Sequence, residues 1–157
     1  MTVSVILVNI SYIKQTKNRT EALRQVFLMI DYIEISIKYQ SLDLKEIFQH
    51  IYNSEKFPLL LFIKDFKRQG FAVDFANYNF KTFKNLNLFS AYSCNLLNGY
   101  FSMLGKSDVD GQILNCETYK EFFKQEIEKL SESEERKIKT GSCLLFGIVF
   151  LMLIILL

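Results

Sequence analysis

One short string in this 157-residue chain combines residue types that nucleotide-binding loops use. Gly105, Lys106 and Ser107 are consecutive, as at the end of a P-loop, where backbone amides cradle phosphates and the lysine reaches the terminal ones. The spacing is wrong for that site, because five residues instead of four separate Gly99 from Gly105. The preceding residues also have the pattern of a helix instead of the required strand. The string therefore does not predict nucleotide binding.

Acidic residues just after this string fall at several positions of a calcium-binding loop. Asp108, Asp110, Gly111 and Glu117 match positions three, five, six and twelve of such a loop. The first position, which needs a carboxylate oxygen, is Lys106, and its ammonium group would repel a cation. We interpret the acids as a helix-capping cluster and predict no metal site.

The other residues with chemical potential are isolated. His50 is the only histidine and has no cysteine or second histidine at ligand spacing. Cys94, Cys116 and Cys143 are an odd number without metal-like spacing, as expected of free thiols in a reducing compartment. The many Phe and Tyr residues lie at helical spacing, where aromatic side chains usually fill a core.

No convergent set of polar side chains supports an enzyme. This also disfavours the alternative of a small membrane-bound enzyme. The sequence predicts a non-enzymatic protein without catalytic residues, cofactor or small-molecule substrate. A formal net charge of +2 gives no reason to expect nucleic acid as a partner. The expected partners are therefore other proteins and a membrane.

Both ends of the chain are apolar. Residues 141–157 carry no charge and include twelve Leu, Ile, Val or Phe, which predicts a transmembrane helix over residues 138–157. Residues 1–13 form a short apolar N-terminal segment whose apolar run is too short to span a membrane unaided. It could be a short or thinned span, an interfacial segment, or a helix packed on the C-terminal anchor. Basic residues border the inner side of both ends, so the positive-inside bias predicts a cytoplasmic middle: Lys14, Lys17, Arg19, Arg136, Lys137 and Lys139.

Apolar residues recur every three or four positions between the two ends. This spacing predicts an all-α fold, a cytoplasmic helical bundle of about five or six helices over residues 14–137. The first helix is predicted to start near Lys17. The next four helices are predicted over Leu44–Tyr52, with Asp43 as the N-cap, and over Pro58–Gly70, Phe71–Phe83 and Leu88–Leu104. A long last helix, capped by Ser107, is predicted to follow. Residues 126–139 of this last helix are predicted to form a solvated stalk.

Three predicted helices have clear apolar stripes that should face a core or a partner. The stripe of the first helix is Leu23, Val26, Ile30, Ile33 and Ile37. The stripe of the fourth bundle segment is Phe89, Tyr92, Leu96, Tyr100 and Leu104. The stripe of the long helix is Ile113, Cys116, Tyr119, Phe123, Ile127 and Leu130, and Glu132–Arg136 and Glu135–Lys139 pair on its exposed side.

Three stretches of the chain carry strings that occur together in one known family. The first contains Arg19, Leu23, Glu34, Ile35 and Leu42. The second and most specific is Leu104-Gly105-Lys106-Ser107-Asp108 followed by Gln112. The third is the basic run ending at Lys139, then Gly141, Gly147 and the apolar tail to Leu157. Together they resemble the stage III sporulation protein AB family of endospore-forming bacteria, although Ile37, Lys38 and Ser41 stand where that family usually has Tyr, Gly and Pro.

The resemblance implies a cytoplasmic helical bundle similar to that of the inner-membrane platform proteins of type II secretion and type IV pilus machines. It implies a location on the mother-cell side of the outer forespore membrane. The implied partners are a secretion-type ATPase, namely the AA protein of the same set, and the other membrane subunits of the stage III sporulation complex. In that role the protein holds ATPase and channel parts together.

The Gly105 loop is the candidate partner-docking site, with Gly105, Lys106, Ser107, Asp108 and Gln112 as its residues. A capped helix start that exposes charged side chains beside a rigid turn would suit a protein partner. Alternatively, Gly105 and Ser107 merely end one helix and start the next. An alternative function is a tail-anchored helical protein of membrane trafficking or fusion, but that class uses long uninterrupted heptads, which the breaks in this chain do not favour.

Overall fold

The structure is a computed structural model of the chain. It describes residues 2–40, 42–75, 78, 80 and 88–156, with side chains described at 14, 15, 17–40, 42–75, 78, 80 and 88–136. The described residues form α-helices and a π-helical turn and contain no strand, which confirms the all-α prediction. The helices are α1 Thr2–Ile35, α2 Leu44–Ser54, α3 Phe62–Arg68, α4 Ala91–Met103 and α5 Val109–Leu156, and the π-helical turn Ser36–Gln40 follows α1.

Two long helices, α1 and α5, form an antiparallel pair. Asp31 of α1 contacts Lys120 of α5, and the Thr20 hydroxyl, eleven residues earlier, donates to the carboxylate of Glu134. The residue number falls along α1 as it rises along α5, so the two helices are antiparallel. The two contacts together fix the register of the pair. The apolar stripe predicted for the first helix is buried at all five positions: Leu23, Val26, Ile30, Ile33 and Ile37.

The turn after α1 has an unusual geometry. Residues Ser36–Gln40 continue the helix in a π-helical turn, whose wider ring is frequent at functional sites and under local strain. Ser36 is fully buried there, and its hydroxyl has no hydrogen-bond partner. Ile37 and Lys38, two of the positions that depart from the family pattern, lie in this turn.

An aromatic cluster fills the space between α2, α3 and α4. Phe66 contacts the rings of Phe48, Phe75 and Phe101 with centroid separations of 5.3, 5.5 and 5.7 Å. Phe80 stacks on Phe101 at 4.7 Å. Such edge and offset contacts add about 0.5–1.5 kcal/mol per pair to area burial. The Phe-rich composition is therefore explained by the core, as predicted.

The predicted N-cap of α2 is correct, whereas the predicted start of α3 is wrong. Glu46 donates its backbone N–H to the Asp43 carboxylate at 2.8 Å. Pro58 lies in a turn, and α3 begins at Phe62. The reason is Gln25 of α1, a buried side chain that accepts the backbone N–H of Leu59 at 3.0 Å and holds this turn against α1.

The helix predicted over Phe71–Phe83 is not found in the described part of that segment. Phe71 follows Gly70 with a positive φ of 59°, and residues 71–75 are non-helical. Tyr78 donates its hydroxyl to Asp65 at 3.0 Å, and burial together with Asp65 raises the pKa of this phenol. Aromatic packing and this hydrogen bond thus override the local helical pattern. Residues 76, 77, 79 and 81–87 lie outside the described residues.

Helix α4 is rotated relative to the prediction. It begins at Ala91 instead of Leu88, because Ser90 caps it by accepting the backbone N–H of Ser93 at 3.0 Å. Tyr92 is 50% exposed and Leu96 is half-buried, although both were expected on the core stripe. The buried residues around this helix are Phe89, Cys94, Leu97, Tyr100, Phe101 and Leu104. The helix packs on α5 and on the aromatic cluster at once, so its buried face is wider than one stripe.

The apolar stripe of α5 follows the prediction, but the described part of the predicted solvated stalk packs on α1, where Thr20 donates its hydroxyl to Glu134. Cys116 and Phe123 are fully buried, the other stripe residues are half-buried, and Glu132 pairs with Arg136 at 3.4 Å. In the part of the chain that the structure describes, no helix is long and apolar enough to cross a membrane. The side chains of residues 1–13 and 137–157 lie outside those described, and they include Cys143 and Lys139, the predicted partner of Glu135. The membrane segments and the domain boundaries stay predictions.

Candidate functional site

The loop between α4 and α5 contains the predicted docking residues, and Gly105 sets its shape. Gly105 adopts a φ of +79°, a left-handed conformation that strains other residues. A Cβ atom at this position would lie 2.9 Å from Leu44 Cδ1 of α2. Glycine is therefore required both for the turn and for the close approach of the loop to α2.

Helix α5 is capped by Asp108, and the prediction that Ser107 caps it is wrong. The Asp108 carboxylate accepts the backbone N–H of Gly111 at 3.0 Å, and its carbonyl accepts that of Gln112 at 2.9 Å. Asp is a strong N-cap whose charge also favours the positive end of the helix. At Gly111 a Cβ atom would lie 2.8 Å from Ser107 Oγ and 2.9 Å from Asp108 Oδ1, so glycine leaves room for this cap.

Gln112 closes the loop with its side-chain amide. Its carbonyl oxygen accepts the backbone N–H of Gly105 at 3.2 Å, and its NH2 group donates to the carbonyl of Ser107 at 3.1 Å. Two backbone groups that neither helix satisfies are thereby paired. Gln112 was predicted only as a docking residue, although a glutamine four residues after an N-cap aspartate is placed to reach back over the loop.

Other side chains of the loop remain at the surface. The side chains of Lys106 and Asp110 are exposed and take no part in the hydrogen bonds that form the loop, whereas the backbone N–H of Lys106 donates to the Met103 carbonyl at 3.3 Å. Met103 and Val109 on either side are 53% and 55% exposed. The structure thus divides the predicted site into a framework of Gly105, Ser107, Asp108 and Gln112 and an outward surface around Lys106.

A second polar cluster, which the sequence reasoning missed, joins α1 to α5. Lys120 Nζ lies 2.9 Å from Asp31 Oδ1 and 2.6 Å from Glu34 Oε2, and its side chain is only 19% exposed. Burial opposes the charged form of Lys120, but the hydrogen bonds and charges of Glu34 and Asp31 outweigh it and raise its pKa. The signal in the sequence was a lysine beside the α5 stripe and two acids three residues apart on α1.

Two uncharged groups lie next to this cluster. The Tyr100 hydroxyl is 3.4 Å from Cys116 Sγ, and both residues are fully buried. Burial raises the pKa of the Cys116 thiol to about 11, and burial also raises the pKa of Tyr100, with Cys116 and Glu34 adding to the rise. At neutral pH the lysine is protonated and the thiol and phenol are neutral. This arrangement suits a junction between helices, with the Cys116 thiol in its protonated, weakly nucleophilic form.

The described residues do not bring metal ligands together. No group of three or more His, Cys, Asp or Glu side chains among them could hold a metal ion. His50 is exposed on α2. Among the described cysteines, Cys94 and Cys116 are buried, and neither is in a disulfide bond.

These observations define a small helical protein organised by two long antiparallel helices, with a rigid loop at one end. A family model described as stage III sporulation protein AB matches residues 1–157. The chain therefore belongs to the stage III sporulation protein AB family, and the resemblance found from its local strings is confirmed. The family indicates a role in sporulation. No curated protein matches the chain, and no solved structure matches it.

Proposed function

We propose that this protein is a non-enzymatic platform or adaptor subunit of a secretion-like sporulation complex, linking an ATPase to membrane components during endospore formation. Its family membership supports the sporulation role. The apolar residues 141–157 and the basic residues before them support attachment to a membrane, with the bundle on its cytoplasmic side. The family resemblance points to the mother-cell side of the outer forespore membrane as that location.

The observation that carries the adaptor proposal is the pre-organised Gly105 loop. Its backbone is held by Gln112 and Asp108, so Lys106 and Asp110 are presented at low entropic cost beside exposed Met103. Partner surfaces commonly combine apolar contact area with charges that steer and orient the encounter. A rigid loop of this kind is suited to bind a soluble ATPase that must recognise a membrane-attached protein.

The alternative of a tail-anchored trafficking or fusion protein is less well supported. Helices α2, α3 and α4 fold onto α1 and α5 around one aromatic core. A fusion protein would instead present long free heptads to a partner helix.

Co-purification from membranes tests the adaptor proposal. The full-length protein and its variant Lys106→Ala, Asp110→Ala are each purified from membranes. The amounts of secretion-type ATPase and neighbouring sporulation membrane proteins that accompany them are compared. A matched control, Lys45→Ala, Glu46→Ala, removes one exposed base and one exposed acid from α2. We expect the loop variant to lose most of the ATPase and the control to retain it.

Equal ATPase recovery with the loop variant, at unchanged thermal stability, would show that the loop does not dock the ATPase. Recovery of vesicle-fusion proteins, or of lipid alone, by the unmodified protein would contradict the platform role itself.

A further inference from the structure

The basic residues that border the two apolar ends of the chain lie on helices that the structure pairs. The Thr20 hydroxyl of α1 donates to the Glu134 carboxylate of α5, so these two residues lie at one level of the antiparallel pair. Both helices continue beyond this contact toward the apolar ends, α1 to Thr2 and α5 to Leu156. Residues 14–20 and 134–140 therefore form one band, the basic band, about 9 Å tall.

Positive charge dominates the basic band. Two acids, Glu134 and Glu135, face six bases, which gives a net charge of +4: Lys14, Lys17, Arg19, Arg136, Lys137 and Lys139. The whole chain has a formal charge of +2, so the rest of it carries −2. The pairing of α1 with α5 thus concentrates the positive charge of the protein at one level of the helix pair.

The bases whose side chains are described are accessible. Lys14 and Lys17 are exposed on α1, and Arg19 is half-buried. On α5 the Arg136 side chain is 81% exposed and lies 3.4 Å from Glu132, whose side chain is 70% exposed. A pair that is this exposed is weak, so Arg136 exchanges it for a stronger anion at little cost.

The two acids of the band lie on its bundle side. Glu134 is half-buried and accepts the hydrogen bond of buried Thr20, and Glu135 is the next residue. The turns of the band nearest the apolar ends, residues 14–17 and 137–140, contain four bases and no acid. An anion that approaches from the apolar ends therefore meets positive charge on both helices.

From this arrangement we infer that the basic band binds the phosphate headgroups of anionic phospholipids, with bases from α1 and α5 contacting the same patch of lipid. The inference rests on the membrane attachment in the proposed function. Clusters of about four to eight Lys and Arg beside a membrane segment attract anionic lipid, and both side chains form charge-assisted hydrogen bonds with phosphate. Position selects this occupant, because the band directly adjoins the apolar residues 141–157 and 3–13.

Calorimetry tests the choice of ligand. The full-length protein in a neutral detergent is titrated with dihexanoyl phosphatidylglycerol and, separately, with dihexanoyl phosphatidylcholine. We expect the anionic lipid to bind at least tenfold more tightly, with a difference that shrinks as salt screens the band. Glycerophosphoglycerol, which is the same anionic headgroup without acyl chains, should bind at least tenfold more weakly than the lipid.

Two variants locate the site on both helices. Lys14→Gln, Lys17→Gln removes two bases from α1, and Arg136→Gln, Lys137→Gln removes two from α5. Each variant should weaken phosphatidylglycerol binding at least tenfold and leave phosphatidylcholine binding unchanged, because each removes half of the charge that faces one lipid patch.

A matched control removes the same charge elsewhere. Lys45→Gln, Lys64→Gln changes exposed positions of α2 and α3 and should bind both lipids like the unmodified protein. Equal affinity of the unmodified protein for the two lipids would overturn the inference. So would equally tight binding of glycerophosphoglycerol, which would assign the band to a soluble anion, or a loss in only one of the two band variants, which would place the site on a single helix.

Flotation with vesicles separates this inference from the membrane attachment on which it rests. Protein that floats with neutral phosphatidylcholine vesicles but has no preference for phosphatidylglycerol in the titration is attached without an anionic-lipid site, and only the inference fails. Protein that floats with neither neutral nor phosphatidylglycerol-containing vesicles is not attached, and both fail.

Discussion

Replacing Lys120 with methionine tests whether the cluster between α1 and α5 holds the fold together. Methionine keeps most of the length and apolar area of the lysine stem and removes only the ammonium group. The substitution leaves Asp31 and Glu34 on α1 without the cation that both contact. Glu34 has only 13% of its side chain exposed, so water cannot fully replace the lost partner.

The expected loss of stability is about 2 kcal/mol. Removing one partner of a fully buried ion pair costs about 3–5 kcal/mol, chiefly because a charge is left unpaired. Here Asp31 is 41% exposed and is solvated after the change, so the cost falls below that range. The raised pKa of Lys120 means that the stabilisation is complete at neutral pH and is lost only as the pH rises above about 10.5 through the folded-state value.

Urea denaturation of the full-length protein in mild detergent, followed by circular dichroism, measures the change. Lys124→Met is the matched control, because Lys124 and Glu121 are each 57% exposed and 4.0 Å apart, and it should cost less than about 0.5 kcal/mol. In the Lys120→Met background, Glu34→Gln should restore part of the loss by removing the unpaired carboxylate. If Lys120→Met unfolds at the same urea concentration as Lys124→Met, the cluster does not stabilise the fold.

Three further predictions concern the α4–α5 region. Gln112→Ala should cost about 1 kcal/mol by freeing two loop backbone groups, whereas the exposed Gln125→Ala should cost less than about 0.5 kcal/mol in the same urea assay; equal costs would refute the loop-closing role. Gly99→Ala should destabilise by about 1 kcal/mol, because its methyl group overlaps the Tyr119 hydroxyl, but should be neutral or stabilising in a Tyr119→Phe background; an equal cost in both backgrounds would contradict this contact. Cys116 of the native protein should resist labelling by a thiol reagent at pH 8, and mass spectrometry locates the labelled cysteines. The free energy of unfolding should fall as the pH rises from about 9 to 11, because the thiol ionises first in the unfolded chain. Labelling of Cys116 faster than unfolding would show that the thiol is accessible in the native protein.

The apolar stripes of the first and last helices could be predicted because their periodicity is strong. The predicted start of the first helix near Lys17 is wrong, because α1 begins at Thr2. All five stripe residues of α1 are buried, and Asp43 caps α2, because both features depend on local sequence alone. The start of α3 could not be predicted in this way. It depends on the buried Gln25 amide, which is 34 residues from its partner Leu59.

The prediction of a helix around Phe71–Phe80 was wrong for a similar reason. Its local pattern allowed a helix, but its phenylalanine rings pack into a cluster formed by three other helices. This packing determines the backbone path of the segment. The loop residues were identified from the family string, but their roles were not. Only the geometry separates Gln112 and Asp108, which form the loop, from Lys106, which faces outward.

The length of α5 has a mechanical consequence. From Val109 to Leu156 it is one continuous helix of 48 residues, or about 72 Å. A single helix of this length acts as a lever with little internal compliance, and the Gly105 loop adjoins its first turn. A tilt of about 5° around that loop would displace Leu156 by about 6 Å, roughly one helical turn. Because Lys120 and Glu134 hold α1 along this helix, such a tilt would move α1 and α5 together as one body.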